Sequence, residues 1–287
     1  MPTDPKPTNP TTNSLDVEIK ENSNPANTTY AIYNETNGNY IDSTGSATDT
    51  PIYQTTSTWS NQTAKNLSIN KKYKFSTKAK NGDEKITSNS PKSSGLYTLA
   101  AKPINFSSTT ITTSSVSFSW NKNGNPDGTI YELNNTTDNK TTTTTNTSTK
   151  SDQLDINSKY NYKLRAKNGD NIFTDYTSTN TIYTYAAIPA QVVSSTVTTS
   201  SIELNWSSNG NPSSTKYKIK NLTSSTTHTT STTSSVFDKL DLNKKYNFKL
   251  QAINKDGIST NLTNTTSIFT HTTVPTKPTK KSASQNS

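Results

Sequence analysis

At 287 residues the chain has room for two or three domains, and its net charge is +9. Leu, Ile, Val and Phe together make up only about 16% of it, a composition bordering on disorder, yet the charge is too dilute for self-repulsion to hold the chain open. It has no cysteine, only two histidines (His228 and His271) and no 18-residue apolar run, which excludes disulfides, thiol catalysis, cysteine-ligated zinc and a transmembrane helix.

The N-terminus, Met1-Pro2-Thr3-Asp4-Pro5-Lys6-Pro7, has neither a basic start nor an apolar core, so no secretory signal is read in it. An extracellular, cell-surface or virion location is expected instead, through a longer secreted chain or packaging in a particle. Pro2, Pro5, Pro7 and Pro10 rule out an interior strand and leave an unpaired linker or a sheet edge. Leu15, Val17 and Ile19 then alternate with polar residues, the period of a half-buried strand. Asn24-Pro25 is a turn before a strand with Tyr30 and Ile32. Between Ile32 and Leu67 this part carries 14 more residues than its later counterparts, near Asp42 to Trp59, including Pro51, Ile52, Tyr53 and Trp59. On an exposed loop Tyr53 and Trp59 would be candidate contacts for a sugar or a protein. The preferred reading is that Trp59 folds back into a core that Ile19 leaves short. Leu67, Tyr73, Ala79 and Tyr97 complete the segment.

The pattern then repeats twice at a step of 86 residues: Trp120 and Trp206, Asn125-Pro126 and Asn211-Pro212, Tyr131 and Tyr217, Leu154 and Leu240, Tyr160 and Tyr246, Ala166 and Ala252. Val116, Phe118 and Trp120 alternate with serines, and Ile202, Leu204 and Trp206 repeat the alternation. Short strands at this spacing, with no helical period, predict β-sandwiches. Each copy resembles a fibronectin type III module of the kind common in bacterial surface and secreted proteins. The second-strand Trp of that family is matched by Trp120 and Trp206, its third-strand Tyr by Tyr30, Tyr131 and Tyr217, and its Leu-to-Tyr corner by Leu67/Tyr73, Leu154/Tyr160 and Leu240/Tyr246. The resemblance implies an all-β protein of three tandem immunoglobulin-like sandwiches in a rod. The expected domains are residues 1–101 (with the Pro-rich start and the insertion), 102–187 and 188–275, followed by a basic flexible tail at 276–287.

No catalytic, cofactor or metal site is read from the sequence. The two histidines have no counterparts in other copies, and Asp155 and Asp241 sit where an Asx side chain caps a turn. Asn121-x-Asn123-x-Asn125-x-Asp127 lacks the carboxylates of a calcium loop and reads as a turn. Basic residues recur on the outward face of the strand after each corner: Lys72, Lys74, Lys78 and Lys80, then Lys159, Lys163, Arg165 and Lys167, then Lys245 and Lys249, with Lys216, Lys218 and Lys220 alongside. Such a ladder either keeps a solvated sheet face from associating or attracts an anionic glycan or an acidic host surface protein. Only Arg165 is arginine among 29 basic residues, which argues against specific nucleic-acid readout. The expected function is a non-catalytic structural or adhesive spacer of a bacterial surface or virion assembly. Its partners would be other modules of a longer chain or copies of itself. The alternatives are a carbohydrate-binding region of a secreted glycan-degrading enzyme and a self-assembling filament subunit.

Overall fold

Alternating apolar and polar residues yield strands throughout the described chain, residues 1–60 and 62–277 of a computed structural model. The expected basic tail lies, from residue 278 on, outside the described residues. Two compact units are present. One comprises Met1–Thr109, Ser117–Lys150 and Tyr160–Thr181, the other Thr110–Val116, Ser151–Lys159 and the chain from Ile182 onward.

In the first sequence copy, β1 (Lys6–Thr8), β2 (Leu15–Glu18) and a later strand, Gln62–Ala64, form a three-stranded sheet in which β1 is an edge. The Pro-rich start thus takes the second of its two expected forms: Pro7 lies opposite Val17 at the edge, where a missing N–H costs no ladder bond. The facing sheet is built on β3 (Thr29–Asn34), β4 (Asn39–Ile41), β5 (Ala47–Thr48) and β6 (Gln54–Thr55) in the order β5-β4-β3-β6. The insertion therefore supplies β5, β6 and a single turn, α1 (Thr56–Trp59), capped by the Thr55 side chain. After α1 come β7 (Gln62–Ala64), β8 (Lys72–Tyr73), β9 (Phe75–Lys80), which pairs with β3 over six residues, and β10 (Leu96–Tyr97). Between the sheets lie Leu15, Val17 and Ile19, Tyr30 and Ile32, Leu67, Tyr73 and Phe75, with Trp59 among them.

The second copy runs β11 (Ile104–Ile111), β12 (Val116–Asn121), β13 (Ile130–Asn135), β14 (Lys140–Thr144), β15 (Ser148–Ser151), β16 (Lys159–Lys167) and β17 (Asn180–Tyr183). Its sheets are β11-β12-β15 and β14-β13-β16-β17. Aromatic side chains bridge them: Phe118 packs on Tyr162 at 4.6 Å and Trp120 meets Tyr131 edge-on at 5.5 Å, spacings typical of favourable ring pairs.

The third copy repeats this with β18 (Ala190–Val197), β19 (Ile202–Ser207), β20 (Lys216–Asn221), β21 (Thr227–Thr230), β22 (Ser234–Phe237), β23 (Lys245–Ile253) and β24 (Thr266–Phe269), in sheets β18-β19-β22 and β21-β20-β23-β24. Ile202, Leu204, Trp206, Tyr217, Ile219, Phe237, Phe248 and Leu250 fill it. Two register shifts along β18 twist this edge strand and break up its ladder. The runs of threonine become the edge strands β14 and β21, where a β-branched polar residue suits an exposed pleat.

The corners of the first and third copies are tied by a tyrosine hydroxyl that accepts from the backbone five residues upstream: Ser68 N to Tyr73 Oη and Asp241 N to Tyr246 Oη, both 2.8 Å. The Asp241 carboxylate does not cap the turn as the sequence suggests; it takes the Lys244 ammonium at 2.7 Å. An exposed lysine three residues on satisfies the carboxylate, and the tyrosine already holds the turn.

A buried carboxylate adds a pH-dependent element to the first copy. Glu35 has a side chain only 12% exposed. Burial pushes its carboxyl up, but hydrogen bonds from Ser76 and Lys92, the Lys92 charge and a bond from Asn89 outweigh this, so its pKa is held below the ordinary carboxylate value. A pKa lower in the folded state contributes stability above the unfolded value, and that contribution is lost as pH falls through the folded one. Acid titration followed by unfolding of the first copy is expected to show this loss below about pH 4.3, the ordinary glutamate value, and Glu35→Gln to flatten it. An unchanged acid limb in the variant would assign the loss to other groups.

Candidate interaction surfaces

Period-two alternation places the basic ladder on outer sheet faces, but its surroundings differ between the copies. In the first copy Lys74 is exposed, Lys78 lies over the Tyr40 ring and donates to its hydroxyl at 3.2 Å, and Lys80 sits 5.0 Å over the Tyr53 ring while pairing with Glu84. Tyr53 is half-buried under that lysine. Trp59 is 2% exposed and donates from Nε1 to Tyr30 O. Its ring lies in the same core cluster as Ile19.

In the second copy Arg165 lies opposite Glu132 in the β13/β16 register and pairs with it at 2.7 Å. Its guanidinium stacks over Phe173 at 3.7 Å and Tyr176 at 4.5 Å, and the Tyr176 hydroxyl donates to the same Glu132. Arg165 is thus enclosed by partners. Lys163 stands next to it, opposite Asn134.

The third copy lacks such compensation. Lys220 stands directly opposite Lys249, and Lys218 opposite Gln251. On the other side Lys218 and Lys220 face Thr229 and Thr227. Among the described residues none of Lys216, Lys218, Lys220 and Lys249 is paired with a carboxylate. Like charges directly opposite on one face are destabilising. Residues 188–275 hold eight lysines against four carboxylates, a net +4, whereas residues 1–101 and 102–187 are each +1.

Several groups with chemical potential elsewhere are engaged. His228 stacks flat on Phe237 at 4.0 Å and shares a hydrogen bond with Ser235. Asn121 accepts from Asn123 N, and Asp127 takes Lys122 at 2.8 Å, so this loop is held as a turn. Among the described residues no cluster of metal-ligating side chains occurs and no helix is long and apolar enough to cross a membrane.

Sequence reasoning missed a second kind of surface, the joints between copies. Within the first unit, Asn70 donates from Nδ2 to Thr129 Oγ1 (3.0 Å) and accepts at Oδ1 from Gly169 N (2.9 Å), while Asn168 Nδ2 donates to Thr98 O (3.2 Å). Asn125 closes the joint by accepting from Ala101 N and donating to Ala101 O. The second unit repeats the arrangement. Asn157 Nδ2 donates to Thr215 Oγ1 (2.9 Å), Lys255 N donates to Asn157 Oδ1 (3.1 Å), Asn254 Nδ2 donates to Thr184 O (3.5 Å), and Asn211 brackets Ala187. The signal was present as Asn recurring at turn positions, but an Asx turn and a joint clamp look alike in sequence.

These pairs of facing sheets define an all-β chain of tandem immunoglobulin-like β-sandwiches. Residues 187–268 match the fibronectin type III domain family. Among solved structures, a two-domain fibronectin type III segment of chicken tenascin shares 16% identity, covering 59% of this chain and all of that one, with a TM-score of 0.43. The FN1–FN3 domains of chicken CNTN1 share 15% identity over 94% of this chain and 98% of that one, with a TM-score of 0.29. No curated protein matches the chain.

Proposed function

We propose that the chain is a non-catalytic structural and adhesive protein, a tandem β-sandwich spacer of a bacterial surface or virion assembly, with modules at 1–101, 102–187 and 188–275. The observation that carries this reading is the duplicated joint: the same asparagine clamp links one copy to the next in both units. A chain that only needed to tether its modules would not require a side chain engaged on both its polar atoms at each joint. Fold alone does not assign the role; the clamps support it because they fix spacing, which is what a stalk supplies.

The uncompensated face of Lys216, Lys218, Lys220 and Lys249 favours an adhesive contact with an anionic glycan or acidic surface. Binding of heparin, used as a sulfated probe, is expected at low ionic strength and to fade as salt rises. The triple variant Lys218→Glu, Lys220→Glu, Lys249→Glu should weaken it more than tenfold, while charge reversal at Lys74, Lys78 and Lys163 has a smaller effect. Equal losses from both sets would reduce the contact to net charge, and no binding by the parent protein would leave the spacer role without an adhesive face.

A further inference from the structure

The joint has two halves, and in each unit one half is fully formed while its clamping amide has no partner among the described residues. The half that leads out of a copy is set by a buried threonine and a left-handed asparagine. Thr98 Oγ1 donates to Ser68 O, Thr184 Oγ1 to Asp155 O and Thr270 Oγ1 to Asp241 O, at 2.7, 2.6 and 2.6 Å. Asn70, Asn157 and Asn243 have φ of 48°, 50° and 51°, and their N–H groups donate to Leu99 O, Tyr185 O and His271 O. Asn243 thus holds the backbone geometry of the two clamping asparagines. Yet it is exposed and its amide has no partner among the described residues, whereas Asn157 is 3% exposed.

The receiving half is equally well formed in the first copy. Asn24 Nδ2 donates to Glu21 O as Asn125 does to Lys122 O and Asn211 to Ser208 O. Asn81 accepts from Asp83 N and Lys85 N, as Asn168 and Asn254 accept from the equivalent amides. Asn168 and Asn254 are 3% and 4% exposed and donate across their joints; Asn81 is exposed and its Nδ2 donates to nothing described. Beside it Asn24, Thr28, Asn81, Gly82 and Ile86 line an open cavity of about 440 Å³.

We propose that these halves pair between two copies of this chain, head to tail. The established joints dictate the contacts: Asn243 Nδ2 to Thr28 Oγ1, Gly82 N to Asn243 Oδ1, Asn81 Nδ2 to Thr270 O, and Thr273 bracketed by Asn24 as Ala101 and Ala187 are by Asn125 and Asn211. Two features make the contact weaker than a joint within the chain. Ser23 (φ 62°) stands where the other joints have Gly124 and Gly210, glycines whose added Cβ would lie 2.9 and 3.1 Å from Ile69 and Ile156, so Leu242 of the arriving copy must tip aside. Val274-Pro275 must also turn away from the incoming Met1-Pro2, its repeat equivalent. Because the two surfaces differ, the contact is heterologous, and each added copy presents a fresh surface for the next.

Sedimentation velocity of the full chain tests this. From low micromolar to about 0.5 mM the weight-average mass should climb above 31.4 kDa with no plateau at the dimer. Asn243→Gly keeps the backbone geometry and loses the amide; Asn81→Asp keeps the turn and loses the donor. Each alone should weaken association at least tenfold, and Ser23→Gly should strengthen it. Mixed one to one, Asn243→Gly and Asn81→Asp chains each retain one good surface, so their mass should rise to two chains and stop. A parent protein that stays at one chain throughout would overturn the proposal. So would association indifferent to the variants, or growth past the dimer in the mixture.

Discussion

Trp59→Ala is expected to unfold the first sandwich while the third stays folded. The ring is 2% exposed and packs in a core that includes Leu15, Val17, Ile19, Tyr30 and Ile32, and truncating a buried tryptophan costs about 3–5 kcal/mol. The variant also loses the bond from Trp59 Nε1 to the Tyr30 carbonyl, and a hydrogen bond of this kind contributes about 0.5–1.5 kcal/mol. A single domain is commonly stable by only about 5–15 kcal/mol, so a loss of this size removes most of the margin. Hydrogen exchange should show protection collapsing at Tyr30–Asn34 while Lys216–Asn221 is unaffected. Trp59→Phe, which keeps much of the volume and drops the N–H, should fall between the two. Unaltered protection in Trp59→Ala would mean that the insertion packs against the sandwich without being part of it.

That expectation shows how far the sequence carries. Trp120 and Trp206 announce their sandwich cores because they sit on alternating strands at a fixed period. Trp59 lies outside the period, on an insertion, and reaches the first core through a single helical turn. Sequence can say that Ile19 leaves room and that a Trp is near; the capped turn at Thr55 decides that the ring goes inward. The lysine ladder was legible as a period, but its electrostatic difference between copies was not. Arg165 is enclosed by Glu132, Phe173 and Tyr176, brought from two separate stretches of chain. Lys220 and Lys249 meet no acid because the register sets them opposite each other.

The asparagine content was the least legible. Of the non-glycine residues with positive φ among those described, eleven of eighteen are asparagine, the side chain that best tolerates the left-handed region after glycine. With nine glycines in the whole chain, asparagine has taken over that task. Some of these residues then gained a second role that composition cannot show, because an amide exposed at a turn becomes a clamp only when another copy is brought against it.

Asn157→Ala measures that second role. The substitution removes the bond to Thr215 Oγ1, leaves the Lys255 N–H without its acceptor, and forces alanine into φ near 50°. The stranded donor costs about 1–3 kcal/mol and the left-handed alanine about 1–2 kcal/mol, a combined loss of about 2–5 kcal/mol. Asn157→Gly should recover the backbone part and leave the clamp part. At a dilution where copies stay apart, Asn243→Ala is the internal control, since it carries the same backbone strain at an exposed position with no clamp within the chain to lose. Thermal unfolding should therefore rank the variants Asn157→Ala lowest, with Asn157→Gly and Asn243→Ala closer to the parent, and the Lys255 amide should exchange faster in both Asn157 variants but not in Asn243→Ala. If Asn157→Ala and Asn243→Ala lose the same stability, the whole effect is backbone strain. The amide would then contribute nothing to the joint, and a spacer role would have to rest on the linker connection alone.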